Sequence, residues 1–521
     1  MFKKKYLLAA TVIAILAAQS AQAIASPAPD GKTVAATTLA AQGGKYDAWK
    51  QQWKSISTDW TQVSMTPGAD ESQMNFAWYS ADGTQPVFRF GKTADLSDGV
   101  SVPVANETAQ GGYQSSKVTL SGLEADTTYY YQVSGKEICM FQTRNGDDFS
   151  FIFVGDPQIG SSNEEKAKKP EDIAKDSFKT AQYESVESDS FNWNHTLELA
   201  VQTAGYTPSF VLSAGDQIQT NAKKVADTTI SEIEYAGYLS PAVLKSLPVA
   251  TTVGNHDADN ANYTWHFHVP NQSELGSNGI VGGDYSFRYG KALFMMLNTQ
   301  DTNVAEHKKF IEDTVKANAD CKWKVVALHQ DIYGSAEHSN EPEITNLRYE
   351  LVPIFEANDV DVVLTGHDHA YSRSYMLKGG AKTSDYDEDA FEAALERDLD
   401  HGDSKEQLTV APANIAADSA DEADQAYLAY LNEVMDKNAV KSGDEQHVVN
   451  PEGILYMTAG SSSGSKYYDL VPRKQSYIAG RWQEDVPTYS IVEVTDTTFT
   501  INTYRTDTNQ KIDTEFTIEK R

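Results

Sequence analysis

The chain has 521 residues, 40% of them hydrophobic and 10% aromatic, enough for about one to three packed domains. Its formal net charge of -31 argues against a nucleic-acid partner, because such a surface repels phosphate backbones. A phosphorylated substrate would have to meet positive charge held locally.

The chain opens on a processing signal. Lys3-Lys4-Lys5 is a basic segment, Tyr6 to Ala18 is apolar but too short to cross a bilayer, and Ala21-Gln22-Ala23 is a small-x-small cleavage site. A signal peptide at 1–23 is expected, and no later stretch is apolar for long enough to span a membrane. The mature protein is therefore expected to be secreted or associated with the cell envelope. The two cysteines, Cys139 and Cys321, are compatible with one bridge or with two free thiols. Residues 24–62 read as a small, polar linker followed by a lead-in segment carrying Trp49, Trp53 and Trp60.

Residues 63–147 read as all-β. Met74-Asn75-Phe76-Ala77-Trp78-Tyr79, Val87-Phe88-Arg89-Phe90 and Lys117-Val118-Thr119-Leu120 alternate, with turns at Asp82-Gly83 and Gly111-Gly112. From 148 to 521 apolar runs alternate with amphipathic stretches, the mark of an α/β layer domain. The runs are Phe149–Val154, Phe210–Ser213, Val249–Val253, Lys324–Leu328 and Val360–Leu364. Helices are expected at Thr196–Ala204, Ile233–Leu247, Ala305–Ala317 and Ile344–Glu356. Residues 379–450 interrupt this order as an acidic insertion. Phe391, Leu395 and Leu399, and again Tyr427, Leu431 and Met435, recur every four residues and predict two helices lying on the domain. Tyr489–Val494 and Thr498–Tyr504 close the chain as a meander.

Each of the five runs ends in residues able to bind a metal: Gly155-Asp156-Pro157-Gln158, Gly215-Asp216, Gly254-Asn255-His256-Asp257, His329 and Gly366-His367-Asp368-His369. Ligands bind at the carboxyl ends of strands in open α/β sheets, so these residues are expected on one rim. The donors are oxygens and imidazoles without thiolate, which suits Fe, Zn or Mn. So many ligands fit two divalent or trivalent ions better than one.

Taken together the five segments resemble the calcineurin-like metallophosphoesterase signature of Asp-x-His, Gly-Asp, Gly-Asn-His, His and Gly-His-x-His. In front of them, Leu123-Glu124-Ala125-Asp126-Thr127-Thr128-Tyr129-Tyr130-Tyr131 is similar to the tyrosine-corner segment of fibronectin type III sandwiches. That pairing resembles purple acid phosphatases. The resemblance implies a four-layer α/β metallophosphoesterase fold, a β-sandwich flanked by helices, preceded by an all-β fibronectin III-like sandwich. It implies that Asp156 and His369 bind the first metal, that Asp216 bridges both, and that Asn255, His329 and His367 bind the second. His256 would be the general acid, a metal-bridging hydroxide the nucleophile, and a phosphate monoester of a small molecule the substrate. Phosphodiester or nucleotide hydrolysis on the same site is the alternative, and a non-catalytic binding protein on this scaffold a further one.

The chain departs from the family pattern at two positions. Gln158 stands where the wider family has histidine, and is a candidate ligand through its amide oxygen. Gln219 stands where purple enzymes have a tyrosinate, so no purple colour is expected. His266 and Arg373, each close after a motif, are candidate substrate-binding residues. His268 is read as structural, His195 as a surface residue at a helix start, and His307, His338, His401 and His447 as solvated. The sequence leaves the oligomeric state open.

Overall fold

The computed structural model describes residues 31–205, 208–336, 338–379, 386, 388–398, 412, 414–434, 439–443, 446–471 and 474–521. The signal read at 1–23 lies outside the described residues, as do His401, Leu399, Met435 and other parts of the 379–450 segment.

The first eight strands are β1 (Ser64–Pro67), β2 (Met74–Ala81), β3 (Phe88–Gly91), β4 (Val100–Val102), β5 (Ala105–Thr108), β6 (Tyr113–Leu120), β7 (Thr128–Val133) and β8 (Cys139–Gln142). They form two four-stranded antiparallel sheets, β1-β2-β6-β5 and β4-β3-β7-β8. Alternation sets the faces: on β7, Tyr129, Tyr131 and Val133 are buried while the residues between them are half-exposed. The inward faces meet in a core that includes Met65, Phe76, Trp78, Phe88, Val118 and Phe141. The Tyr129 hydroxyl accepts the Glu124 N–H at 2.9 Å, tying the chain's entry into β7 to the strand itself.

Fifteen further strands follow: β9 (Phe149–Val154), β10 (Phe210–Ser213), β11 (Val249–Thr251), β12 (Tyr285–Tyr289), β13 (Ala292–Met296), β14 (Trp323–Ala327), β15 (Val362–Thr365), β16 (Tyr371–Lys378), β17 (Val440–Ser442), β18 (His447–Val449), β19 (Ile454–Thr458), β20 (Ile478–Trp482), β21 (Thr488–Val494), β22 (Thr498–Arg505) and β23 (Phe516–Glu519). One sheet runs β11-β10-β9-β21-β22-β23-β18. The other runs β12-β13-β14-β15-β19-β16-β17, with β20 paired to β16. Strands β9, β10 and β11 are mutually parallel, as are β13, β14, β15 and β19. Every residue of β9 and of β15 is buried, because both faces of each sheet are covered. Phe151, Phe210 and Val492 of one sheet share a core with Phe294, Val325 and Leu455 of the other. Helix Asp176–Ala204 covers the outer face of the first sheet through Trp193, Leu197 and Ala200. Helices Val304–Ala317 and Pro342–Ala357 cover the second, through Phe310, Ile311, Leu351 and Phe355.

The helix expected at Thr196–Ala204 is only the last part of one 29 residues long. Its buried face includes Gln182, Asp189, Ser190 and Asn192, which erase the apolar periodicity a sequence reading needs, and His195 lies inside it rather than at its start. The stretch Ile233–Leu247 divides at Pro241 into a helix, Glu232–Tyr238, and a short 3-10 turn, Ala242–Lys245. Both cysteines are free. In the insertion, helices Glu388–Asp398 and Glu422–Val434 pack together through Phe391, Leu395, Tyr427 and Leu431. The Tyr430 hydroxyl donates to Asn340 O at 2.7 Å and that of Tyr349 to Glu433 O at 2.8 Å, so the pair is bolted onto the Pro342–Ala357 helix and the turn before it.

The N-terminal sandwich is joined to the larger domain through the buried Glu232. Its Oε1 accepts the Tyr79 hydroxyl at 2.9 Å, Asn262 Nδ2 at 2.9 Å and the Gln110 amide; its Oε2 lies 2.8 Å from His266 Nε2. Removing one member of such a buried set leaves the others without partners, at a cost of about 3–5 kcal/mol. Glu232→Ala is therefore expected to lower the unfolding free energy by that amount in urea denaturation, and Glu232→Gln by distinctly less.

Candidate metal centre

The ends of β9, β10, β11, β14 and β15 converge. Asp156, Asp216 and His329 each offer a donor atom within 4.8 Å of the others. His329 Nε2 lies 3.4 Å from Asp216 Oδ2, 3.1 Å from Asn255 Oδ1 and 3.1 Å from His367 Nδ1. His369 Nε2 lies 3.6 Å from Asp156 Oδ1. The residues assigned to the second metal thus surround His329 Nε2, and His369 faces Asp156.

Backbone geometry forces this convergence. Asp156, Gln158, Asp216, His367 and His369 all adopt positive φ, between 32° and 74°, five of the thirteen non-glycine residues that do so among those described. Left-handed backbone in L residues is unfavourable and gathers at functional sites, where surrounding structure enforces it. The motif glycines are required by close approach. A Cβ on Gly254 would lie 2.1 Å from Asp216 Oδ1, and one on Gly366 would lie 2.7 Å from Asp156 Oδ2.

The carboxylates also hold the loops. Asp156 accepts the His367 N–H at 3.0 and 2.9 Å, and Asp216 Oδ1 accepts the His256 N–H at 2.9 Å. His329 Nδ1 donates to Ala214 O at 2.8 Å and His369 Nδ1 to Lys466 O at 2.9 Å, which turns each Nε2 toward the cluster. His256 Nδ1 donates to Gln219 O at 2.5 Å, so the residue in the tyrosinate position serves through its backbone carbonyl.

The electrostatics are those of lone pairs short of positive charge. Burial pushes the Asp156 carboxyl up to about 8. Burial acts in the same direction on Asp216, but the His329 and His256 charges outweigh it and hold that carboxyl below its ordinary range. His329 is raised to about 9 against the effect of burial, chiefly by Asp216. Burial drives His367 well down, helped by His338 and His329, and drives His369 down, helped by Lys466. The Gln158 side-chain oxygen is buried with no hydrogen-bond partner. An orphaned amide oxygen, two carboxylates and converging imidazoles fit hard or borderline divalent cations.

Four sequence expectations are corrected here. His266 is buried between the rings of Tyr79 and Tyr235, 4.5 and 4.6 Å from their centroids, with Nε2 on Glu232, so it is committed to the domain junction rather than to substrate. Arg373 donates from Nε to Asp513 Oδ2 at 2.8 Å and lies over the Phe516 ring, so it is part of a structural ion pair. His307 and His338 are buried rather than solvated. His307 pairs with Asp284 at 2.8 Å, while the His338 ring stacks on His367, with centroids 4.4 Å apart. His268 faces the Thr119 hydroxyl at 3.0 Å, and His447 stays exposed.

Three further contributors were given no role from the sequence. Asp257 accepts from Gly254 N and Gln217 N and so ties two of the loops together. Asp368 accepts from Ala336 N at 2.6 Å and from His338 N at 3.0 Å, which sets His338 against His367. Lys466 supplies the carbonyl under His369. Asp257 and Asp368 stand inside the segments Gly254–Asp257 and Gly366–His369, whereas nothing in the sequence signalled Lys466.

Residues 149–371 match the calcineurin-like phosphoesterase family, and residues 60–151 match the purple acid phosphatase N-terminal domain. The chain carries a calcineurin-like phosphoesterase domain preceded by a purple acid phosphatase N-terminal domain. Among relatives, an uncharacterized protein of Mycobacterium tuberculosis is 26% identical over 159 residues, 26% of this chain and 30% of that one. Purple acid phosphatase 18 of Arabidopsis thaliana is 22% identical over 352 residues, 64% of this chain and 69% of that one. The chain covers 30% of the mycobacterial relatives' length and 52% of purple acid phosphatase 4 of Arabidopsis thaliana. The fold is similar to that of purple acid phosphatase PPD1 from yellow lupin (Lupinus luteus) seeds, with a TM-score of 0.58 and 14% identity over 88% of this chain and 75% of that one.

Gln158→Ala is expected to weaken one metal equivalent by roughly tenfold and to spare the other. Chelator competition followed by metal analysis checks this. Gln158→His, which restores the family residue, should bind that equivalent at least as tightly as the wild type.

Proposed function

We propose that this protein is an exported phosphatase that hydrolyses phosphate monoesters at a two-metal centre. The observation that carries the reading is the meeting of five strand-end segments at one cluster of carboxylate, amide and imidazole donors, with left-handed backbone at five of its residues. Asp156 and His369 would hold one ion; Asn255, His329 and His367 would hold the other; Asp216 would lie between them, with Gln158 adding an amide oxygen. Ions held there would supply Lewis acidity toward the phosphoryl oxygens and lower the pKa of a water.

The chain's own groups do the rest. Asn255, His256 and His367 are only half-buried, so the cluster opens to substrate on their side. His256 is pinned from two directions, by its N–H on Asp216 and by Nδ1 on Gln219 O. Its Nε2 is the atom left to hold a proton and pass it to the departing oxygen. Gly254 and Gly366 keep the loops close enough for the donors to meet.

Export is part of the same proposal and rests on Lys3-Lys4-Lys5, the apolar stretch after it and Ala21-Gln22-Ala23. No helix among the described residues is long and apolar enough to cross a membrane. We read the N-terminal domain as a fibronectin III-like sandwich, on its two four-stranded sheets and the Tyr129 corner, with the division into domains following the boundaries read from the sequence.

The test is turnover of an aryl phosphate monoester against a bis-aryl diester by the metal-loaded protein. Faster monoester turnover is expected; a clear preference for the diester would make the protein a phosphodiesterase. Asp216→Asn should cut kcat/KM by roughly a thousandfold, the effect of several kcal/mol of lost transition-state stabilisation. A near-wild-type rate in that variant would remove Asp216 from its assigned place.

A further inference from the structure

A phosphate dianion approaching a protein of net charge -31 needs a fixed cation at its destination. His266 lies at the domain junction on Glu232, and Arg373 lies on Asp513, so neither stands at the cluster. A different residue stands beside the cluster. After β19 the chain runs Ser461-Ser462-Ser463-Gly464-Ser465-Lys466, and this segment is fastened to the loop that carries Asp156. The Ser461 hydroxyl donates to Asp156 O at 3.1 Å and the Ser463 hydroxyl to Pro157 O at 2.5 Å, while Gly464 N donates back to Ser461 Oγ at 3.1 Å. The Thr196 hydroxyl holds Ser462 O at 2.7 Å from the helix behind.

Lys466 ends this segment 4% exposed, with its carbonyl on His369 Nδ1 at 2.9 Å. Its ammonium lies over the Tyr468 ring, 4.2 Å from the centroid. Tyr468 also meets His369 and His338 edge-on, at 5.1 and 4.9 Å, so the ring that seats the ammonium belongs to the wall of the cluster. A buried ammonium on a long side chain is costly to desolvate unless an anion or a ring face offsets it.

We propose that Lys466 is a substrate-binding residue whose ammonium, seated on Tyr468 beside His369, receives the phosphate of the ester. The proposal rests on the phosphoesterase reading for the identity of the ester, but its chemistry is that of a phosphate site and is tested with inorganic phosphate. Substitutions of the side chain leave the carbonyl under His369 in place, so metal binding should survive them.

The experiment is calorimetric titration of the metal-loaded protein with inorganic phosphate, with metal content measured for each variant and KM and kcat measured on an aryl monoester. Lys466→Met is expected to weaken phosphate binding and raise KM by roughly ten- to a hundredfold, the loss of one charge-assisted contact, with metal content unchanged. Lys466→Arg should recover most of that loss. Lys466→Met with wild-type phosphate affinity, KM and metal content would overturn the proposal. If Lys466→Met fails to fold or to hold metal, Tyr468→Leu decides: weaker phosphate binding at full metal content supports the seat, and wild-type binding overturns it. A wild-type protein that binds phosphate yet hydrolyses neither ester would end the phosphatase reading while leaving Lys466 to be judged on phosphate affinity alone.

Discussion

Asp156 and Asp216 are buried carboxyls just beyond the ends of β9 and β10, and the cost of burying them shapes everything above the strand ends. Each is used twice. Asp156 faces His369 and also grips the backbone of His367. Asp216 faces His329 and also grips the backbone of His256. The same carboxylates that would bind cations therefore fix the loops that bring the other donors. Ligand and scaffold cannot be varied independently, which accounts for five strained residues in one small region.

The sheets and the motif residues were legible from sequence because their physics is local. A β-branched or aromatic run such as Phe149–Val154 is buried whichever neighbour it pairs with. A glycine followed by a ligand residue marks a sharp exit from the sheet. His266 and Arg373 show where locality fails. Both follow a motif closely along the chain, yet His266 sits on a one-turn helix, Asn262–His266, that faces the N-terminal sandwich, and Arg373 lies in β16 against the C-terminal loop carrying Asp513. Distance along the chain said nothing about direction. His338 and Lys466 were missed for the opposite reason: they reach the cluster from irregular segments, where position is set by tertiary hydrogen bonds to Asp368, Asp156 and Pro157.

The elements around the phosphoesterase core are attached at points that matter to the cluster. The acidic insertion holds Asn340 through Tyr430, two residues from His338, so its helices brace the turn that stacks on His367. The N-terminal sandwich is held through Glu232, which neighbours the buried Glu234 in the helix Glu232–Tyr238. Glu234 in turn accepts the backbone of Gln219 and Thr220, the turn that orients His256. Acidic residues thus appear in two roles. They give the exterior its negative charge, and in the interior they act as hubs that accept several donors each.

The central claim is that two metal ions share this cluster with Asp216 between them. Anomalous diffraction from crystals of the metal-loaded protein, collected on either side of the metal's absorption edge, tests it most directly. The account predicts two peaks, one against Asp156 and His369 and one against Asn255, His329 and His367, both touching Asp216. A single peak, or two peaks of which one lies away from Asp216, would contradict it.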